Sequence, residues 1–139
     1  MARAATNGPG FIGGYIGLRK AGHTVLLVDW PMPEAALEKT LRALGAVGAL
    51  IVSEPWPELR RDFVFRAIDN PSFADSLPPD GVSTIRLTSG SMGTPRGIIH
   101  TSEALLNDDR SLRETMGLEE ETVLAAIPLS HAYGFSSVF

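Results

Sequence analysis

The chain has 139 residues, 44% apolar and 20% charged, with 12 Lys and Arg against 16 Asp and Glu for a formal charge of -4. That is the composition of one globular domain or part of one, and its acidic balance leaves no excess cation to release counterions from a nucleic acid. The absence of cysteine excludes disulfides, thiolate metal sites and a cysteine nucleophile.

Residues 1–7, Met-Ala-Arg-Ala-Ala-Thr-Asn, make at best the stub of a strand. Phe11, Tyr15 and Leu18 then recur at helical spacing, Arg19 and Lys20 fall where a last turn exposes carbonyls, and Gly22 follows. The pattern predicts an amphipathic helix over roughly 10–21. Its apolar stretch runs straight into Arg19 and Lys20 without a small-residue cleavage site, unlike a signal peptide. The longest nearly apolar run, Ala43 to Val52, is too short to cross a bilayer. A cytoplasmic protein without a membrane span is expected.

Thr24 to Val28 is a short run of β-branched and apolar residues, the pattern of a strand covered on both faces. Pro31 and Pro33 set a turn and a helix start, and Glu34 complements the exposed first-turn N–H groups. Leu37, Leu41 and Leu44 form one stripe, Glu38 and Arg42 can pair four residues apart, and Gly45 closes the helix. Ala46 to Val52 supplies a second buried strand. Alternating helices and strands predict an α/β fold, a mostly parallel sheet with flanking helices.

Residues 53–83 hold five of the ten prolines and read as a long surface connection that would fit between subdomains, with Phe63-Val-Phe65 a short strand inside it. Thr84 to Thr88 and Gly97 to Thr101 are two strand-like runs around a Gly/Ser/Thr loop. Thr101 or Ser102 then caps a helix whose buried stripe is Leu105, Leu112 and Met116, ended by Gly117. Three glutamates at 119–121 precede a strand-like run, Thr122 to Ile127. His23, His100, Trp30 and Trp56 are assigned to packing or wet surface.

The segment that carries chemistry is Thr88-Ser-Gly-Ser-Met-Gly-Thr-Pro-Arg-Gly97. Glycines let backbone N–H groups approach an anion, hydroxyls donate from either side, and a guanidinium adds charge-assisted bonds. A polyphosphate is the natural guest. The spacing does not fit a Walker loop, because Pro95 and Arg96 stand where Gly-Lys is required.

The segment resembles the signature of the adenylate-forming superfamily, Thr-Ser-Gly-Ser/Thr-Thr-Gly-x-Pro-Lys-Gly, at Thr88, Ser89, Gly90, Ser91, Gly93, Pro95 and Gly97. It departs at Met92, where Thr is usual, and at Arg96, where Lys is usual. Pro128-Leu-Ser-His131-Ala-Tyr-Gly134 is similar to the Pro-Leu-x-His-x-x-Gly element of the same superfamily, after a helix and a strand. The resemblance implies that Thr88, Ser89, Gly90, Ser91, Gly93, Thr94, Arg96 and Gly97 hold the β- and γ-phosphates of ATP with Mg²⁺. It implies that His131 lies beside the reacting carboxylate of the acyl substrate, in an electrostatic or orienting role. Asn7-Gly-Pro-Gly-Phe11 and the strand into Asp29 look structural by the same likeness. None of the chain's own residues is assigned as a metal ligand.

The whole enzyme implied would form an acyl-adenylate and pyrophosphate from a carboxylic acid, then pass the acyl group to coenzyme A or a carrier-protein phosphopantetheine. Family members are several times longer, with adenine- and ribose-binding motifs and a mobile domain carrying a Lys. The 139-residue chain is therefore expected to be a partial N-terminal domain, inactive without the remainder as its partner. Two other readings stand: a non-catalytic nucleotide-binding remnant, and an NAD- or FAD-binding Rossmann unit. The latter rests on Gly8-Pro-Gly10-Phe-Ile-Gly13 followed by Asp29, and needs a strand before Gly8.

Overall fold

In the computed structural model, which describes residues 2–5, 7–29, 32–52, 63–69, 78–88, 96–118, 120–122, 124 and 126–138, the chain opens on a strand, β1 (Ala2–Ala5). The expectation of a mere stub is corrected. Ala and Arg have weak strand preference, and hydrogen bonding along both edges holds these residues extended. Helix α1 (Pro9–Lys20) starts from Gly8, whose φ of 149° favours glycine, with Pro9 in a first turn that lacks internal partners for its N–H groups.

β2 (Val25–Val28) runs parallel to β1 on one side. Helix α2 (Glu34–Ala43) leads back across the sheet to β3 (Gly48–Val52), parallel to β1 on the other. The two helices therefore cover opposite faces. Val25 and Leu27 pack with Phe11, Tyr15 and Leu18 of α1, while Leu26 and Val28 pack with Leu37 and Leu41 of α2. The continuous apolar run of β2 is the sequence trace of burial on both faces. Full burial of a side chain such as Phe11 contributes about 1.5–3 kcal/mol. Glu38 and Arg42 make the expected ion pair at 3.0 Å.

β4 (Phe63–Ala67) pairs antiparallel with β3 at one edge, so the strand expected inside the proline-rich stretch forms; residues 53–62 and 70–77 lie outside the described residues. β5 (Val82–Thr88) is parallel to β2, and β6 (Arg96–Thr101) returns antiparallel to it, giving the order β4-β3-β1-β2-β5-β6. Helix α3 (Ser102–Met116) is capped by the Thr101 hydroxyl, which accepts from the Ala104 N–H at 3.1 Å, and ends on Gly117 in the left-handed region at φ 65°. Helix α4 (Ala132–Ser136) closes the described chain.

Two expectations are corrected on this side. No residue of α3 is buried: Leu105 and Leu112 are half-buried and Met116 is 63% exposed. The helix lies at the sheet's margin against β5, β6 and α4, so its stripe reaches the core only through Leu105. The run 122–127 forms no strand among its described residues; Ala126 N–H donates back to Leu124 C=O, and Leu124 is 88% exposed. An apolar run becomes a strand only where another strand satisfies its backbone, and none pairs with its described residues.

Candidate functional site

Strand order reverses around β1, with β2 and β3 on opposite sides of it. In such sheets ligands settle outside the carboxyl ends of the strands at the reversal. Asn7 and Gly8 follow β1 there, Asp29 follows β2, and Thr88 ends β5. Leu27 pairs with Arg86, so Asp29 and Thr88 stand two residues further along adjacent strands, at the same level of the sheet.

Thr88 and Arg96 are paired across β5 and β6, and the Thr88 hydroxyl donates to the Arg96 carbonyl at 3.3 Å. They flank the Gly/Ser/Thr segment singled out in the sequence. Ser89, Gly90, Ser91, Gly93 and Thr94 lie outside the described residues, as do Met92 and Pro95. The Arg96 side chain is exposed and has no ion pair among the described residues. Gly97 has a packing reason of its own: a Cβ there would lie 2.6 Å from the Ile85 Cγ2.

His131 is the N-cap of α4, in extended conformation and with no capping bond from its side chain. Its Nε2 lies 3.9 Å from Asp29 Oδ2, with both side chains more than half exposed. The segment leading into it is held by Asn7, whose Nδ2 donates to Ile127 C=O at 3.1 Å and whose Oδ1 accepts from Leu129 N–H at 2.8 Å. Leu129 is buried in the α1-side core. Gly134 lies on the main chain of Ile127 and Pro128, where a Cβ would collide with both carbonyl oxygens. The spacing of His and Gly in this element thus folds a short helix back on its own approach loop.

Sequence reasoning passed over two residues that the structure brings to the site. Asn7 looks structural in the sequence, and its two bonds span about 120 residues, which no local pattern signals. Arg86 sits inside the strand-like run Thr84 to Thr88, and a charge flanked there by Ile85 and Leu87 is the signal that could have found it. It is 6% exposed, with its guanidinium carbon 4.9 Å from the centre of the Phe135 ring and Nη1 donating to Ala132 C=O at 3.4 Å. Burial pushes the Arg86 pKa below its ordinary value, against the pull of the Asp108 carboxylate. Burial likewise lowers that of His100, helped by the Arg86 charge and opposed by Asp108.

The turn after β1 answers part of the dinucleotide reading, since a strand does precede Gly8. The fingerprint's third glycine normally serves close packing between helix and strand, yet a Cβ on Gly13 would meet nothing within 4 Å. The Ile127–Leu129 backbone also bonds to Asn7 beside the turn. Among the described residues no three His, Asp or Glu cluster to hold a metal, and no helix is long and apolar enough to cross a membrane.

A family model described as AMP-binding enzyme matches residues 2–139. The sulfoacetate–CoA ligase of Cupriavidus necator is 32% identical over 119 residues, which are 80% of this chain and 22% of that protein. Among solved structures, a variant of E. coli MenE with bound OSB-AMS superposes with a TM-score of 0.71 at 23% identity, covering 99% of this chain and 31% of that one. The o-succinylbenzoate CoA synthetase of Bacillus subtilis, in complex with the acyl-adenylate intermediate OSB-AMP, gives 0.69 at 18% identity, covering 99% and 40%. The chain spans about a fifth of its curated relative and a third or so of these structures.

Proposed function

The chain belongs to the family of AMP-binding enzymes, and we propose on that premise that it supplies the phosphate loop and acyl-side histidine of an ATP-dependent carboxylate-activating ligase. In the reaction, a carboxylate oxygen bonds to the α-phosphorus of ATP, the bond to the bridging oxygen breaks, and pyrophosphate leaves with its electron pair. The acyl-adenylate then transfers its acyl group to a thiol, of coenzyme A or of a carrier-protein phosphopantetheine, and AMP departs.

In-line displacement at phosphorus asks for positioning and charge neutralisation more than for covalent help. Arg96 provides an exposed cation at one end of a loop rich in hydroxyls and glycines, and Thr88 anchors the other end. Arginine offers a planar fork where the family's lysine offers a point charge, so Arg96 would meet the phosphates with a different geometry. Magnesium, which the family resemblance implies, would neutralise part of the triphosphate charge beside the Arg96 guanidinium. His131, held at the neighbouring strand end beside Asp29, orients the incoming carboxylate. The observation that carries the reading is this placement of the Thr88–Arg96 pair and His131 along one carboxyl edge of the sheet.

The test is carboxylate-dependent exchange of labelled pyrophosphate into ATP, measured on the complete gene product. Arg96→Ala is expected to weaken exchange about 10- to 100-fold, the value of one or two charge-assisted bonds. Failure of exchange across a broad carboxylate panel overturns the ligase reading, and ATP binding retained without exchange would favour a nucleotide-binding remnant.

A further inference from the structure

Arg86 is buried where an apolar side chain would pack at less cost. Among the described residues its Nε and Nη2 are buried without a hydrogen-bond partner. A desolvated guanidinium with unpaired donors is unfavourable compared with a hydrophobic residue of similar size. Its contacts are directed to one place: Nη1 reaches the Ala132 carbonyl, and the cation lies over the Phe135 ring. Both residues belong to α4.

That helix has five residues, too few to hold a direction by itself. Three elements hold it. Asp108 of α3 accepts from the Ser136 hydroxyl at 2.8 Å, Tyr15 of α1 meets the Phe135 ring edge-on at 5.0 Å between centroids, and Arg86 of β5 meets it at two points. Arg86 comes from the strand that ends two residues later at Thr88, where the Gly/Ser/Thr segment begins. His131 is locked to α4 in turn, since its carbonyl accepts from Phe135 N–H at 2.9 Å.

Resting on the reading of His131 as the acyl-side residue, we propose that Arg86 is a positioning residue for it. By gripping α4 from β5, Arg86 fixes the position of His131 relative to Thr88 at the end of the same strand. The cation is turned to Ala132 and Phe135, and through them it keeps His131 and Thr88 in one frame. Its unpaired donors are tolerated because methionine or leucine would fill the space without seizing the Ala132 carbonyl.

The three histidines, His23, His100 and His131, provide the readout by proton NMR of the chain, with resonances assigned from single His→Gln variants. In Arg86→Met the His131 ring signal should move by more than its linewidth while His23, at the opposite end of the sheet, stays in place. Arg86→Lys, which keeps a cation over Phe135, should return His131 toward its wild-type position. His100 loses the repulsion of Arg86 in the Met variant, so its titration moves up toward the ordinary imidazole value and marks the removal of the charge. If Arg86→Met does not fold, Arg86→Gln is the substitute, with a smaller displacement of His131. A folded Met or Gln variant with His131 unmoved overturns the proposal, as does equal movement of His23 and His131. In pyrophosphate exchange by the complete gene product, Arg86→Met should lower kcat about tenfold or more with the KM for ATP nearly unchanged, as a misplaced group does. A change confined to the KM for ATP would count against positioning of His131. Absence of exchange in the wild type would overturn the ligase reading, and the His131 signal would still decide the role of Arg86.

Discussion

Substituting Gly134 by alanine places a methyl group against main chain on the approach to His131. The added Cβ would stand 2.7 Å from the Ile127 carbonyl oxygen and the Pro128 carbonyl carbon, and closer still to the Pro128 oxygen. None of these atoms can swing aside as a side chain would. Relief requires moving the 127–129 backbone, the same segment that Asn7 holds through two hydrogen bonds. Overpacking of this kind costs about 1–3 kcal/mol, and loosening two hydrogen bonds adds about 1–2 kcal/mol. The better helix propensity of alanine returns about 0.5–1 kcal/mol. The net loss is about 1–4.5 kcal/mol. At about 2.1 cal/mol/K of unfolding entropy per residue, a 139-residue chain shifts its midpoint by about 3–4 °C per kcal/mol, so Tm should fall by about 3–15 °C. Thermal unfolding followed by circular dichroism measures this directly. Combining Gly134→Ala with Asn7→Ala should give less than the sum of the single effects, because both act on the same bonds. A Tm within about 2 °C of wild type, or strict additivity with Asn7→Ala, would refute the close approach of α4 to its loop.

At Gly13 the opposite sign is expected: a Cβ there meets nothing within 4 Å in a helix interior, so Gly13→Ala should stabilise by about 0.5–1 kcal/mol in urea unfolding. Thr101→Ala removes the N-cap acceptor for the Ala104 N–H and should cost about 1 kcal/mol, read as a lower urea midpoint at unchanged slope. For His100 the folded-state pKa lies below the unfolded one, so the unfolded chain binds the proton first. Stability is therefore intact above about pH 6.5 and declines as pH falls from there through the folded-state value. His100→Gln should flatten that acid-side decline in a pH series of unfolding midpoints.

The sequence by itself determined the elements that speak through local physics. The buried strands Val25–Val28 and Gly48–Val52, the stripe Leu37 and Leu41, the Thr101 cap and the Gly117 stop all follow from periodicity, burial and capping within a few residues. The resemblance in residues 88–97 and 128–134 pointed to the family that the whole-chain match bears out. Tertiary structure decided what local pattern cannot carry. Ala2–Ala5 has little strand character and becomes a central strand because two neighbours bond to it. Thr122–Ile127 has the apolar pattern of a strand and forms none among its described residues, having no partner there. The stripe of α3 stays half-wet because the helix lies over the sheet's margin. The grouping of Asn7, Asp29, Arg86 and His131 joins residues up to about 120 positions apart. A hydrogen bond or a cation over a ring is set by distance in space, and only the order β3-β1-β2-β5 brings these strand ends and α4 to one edge.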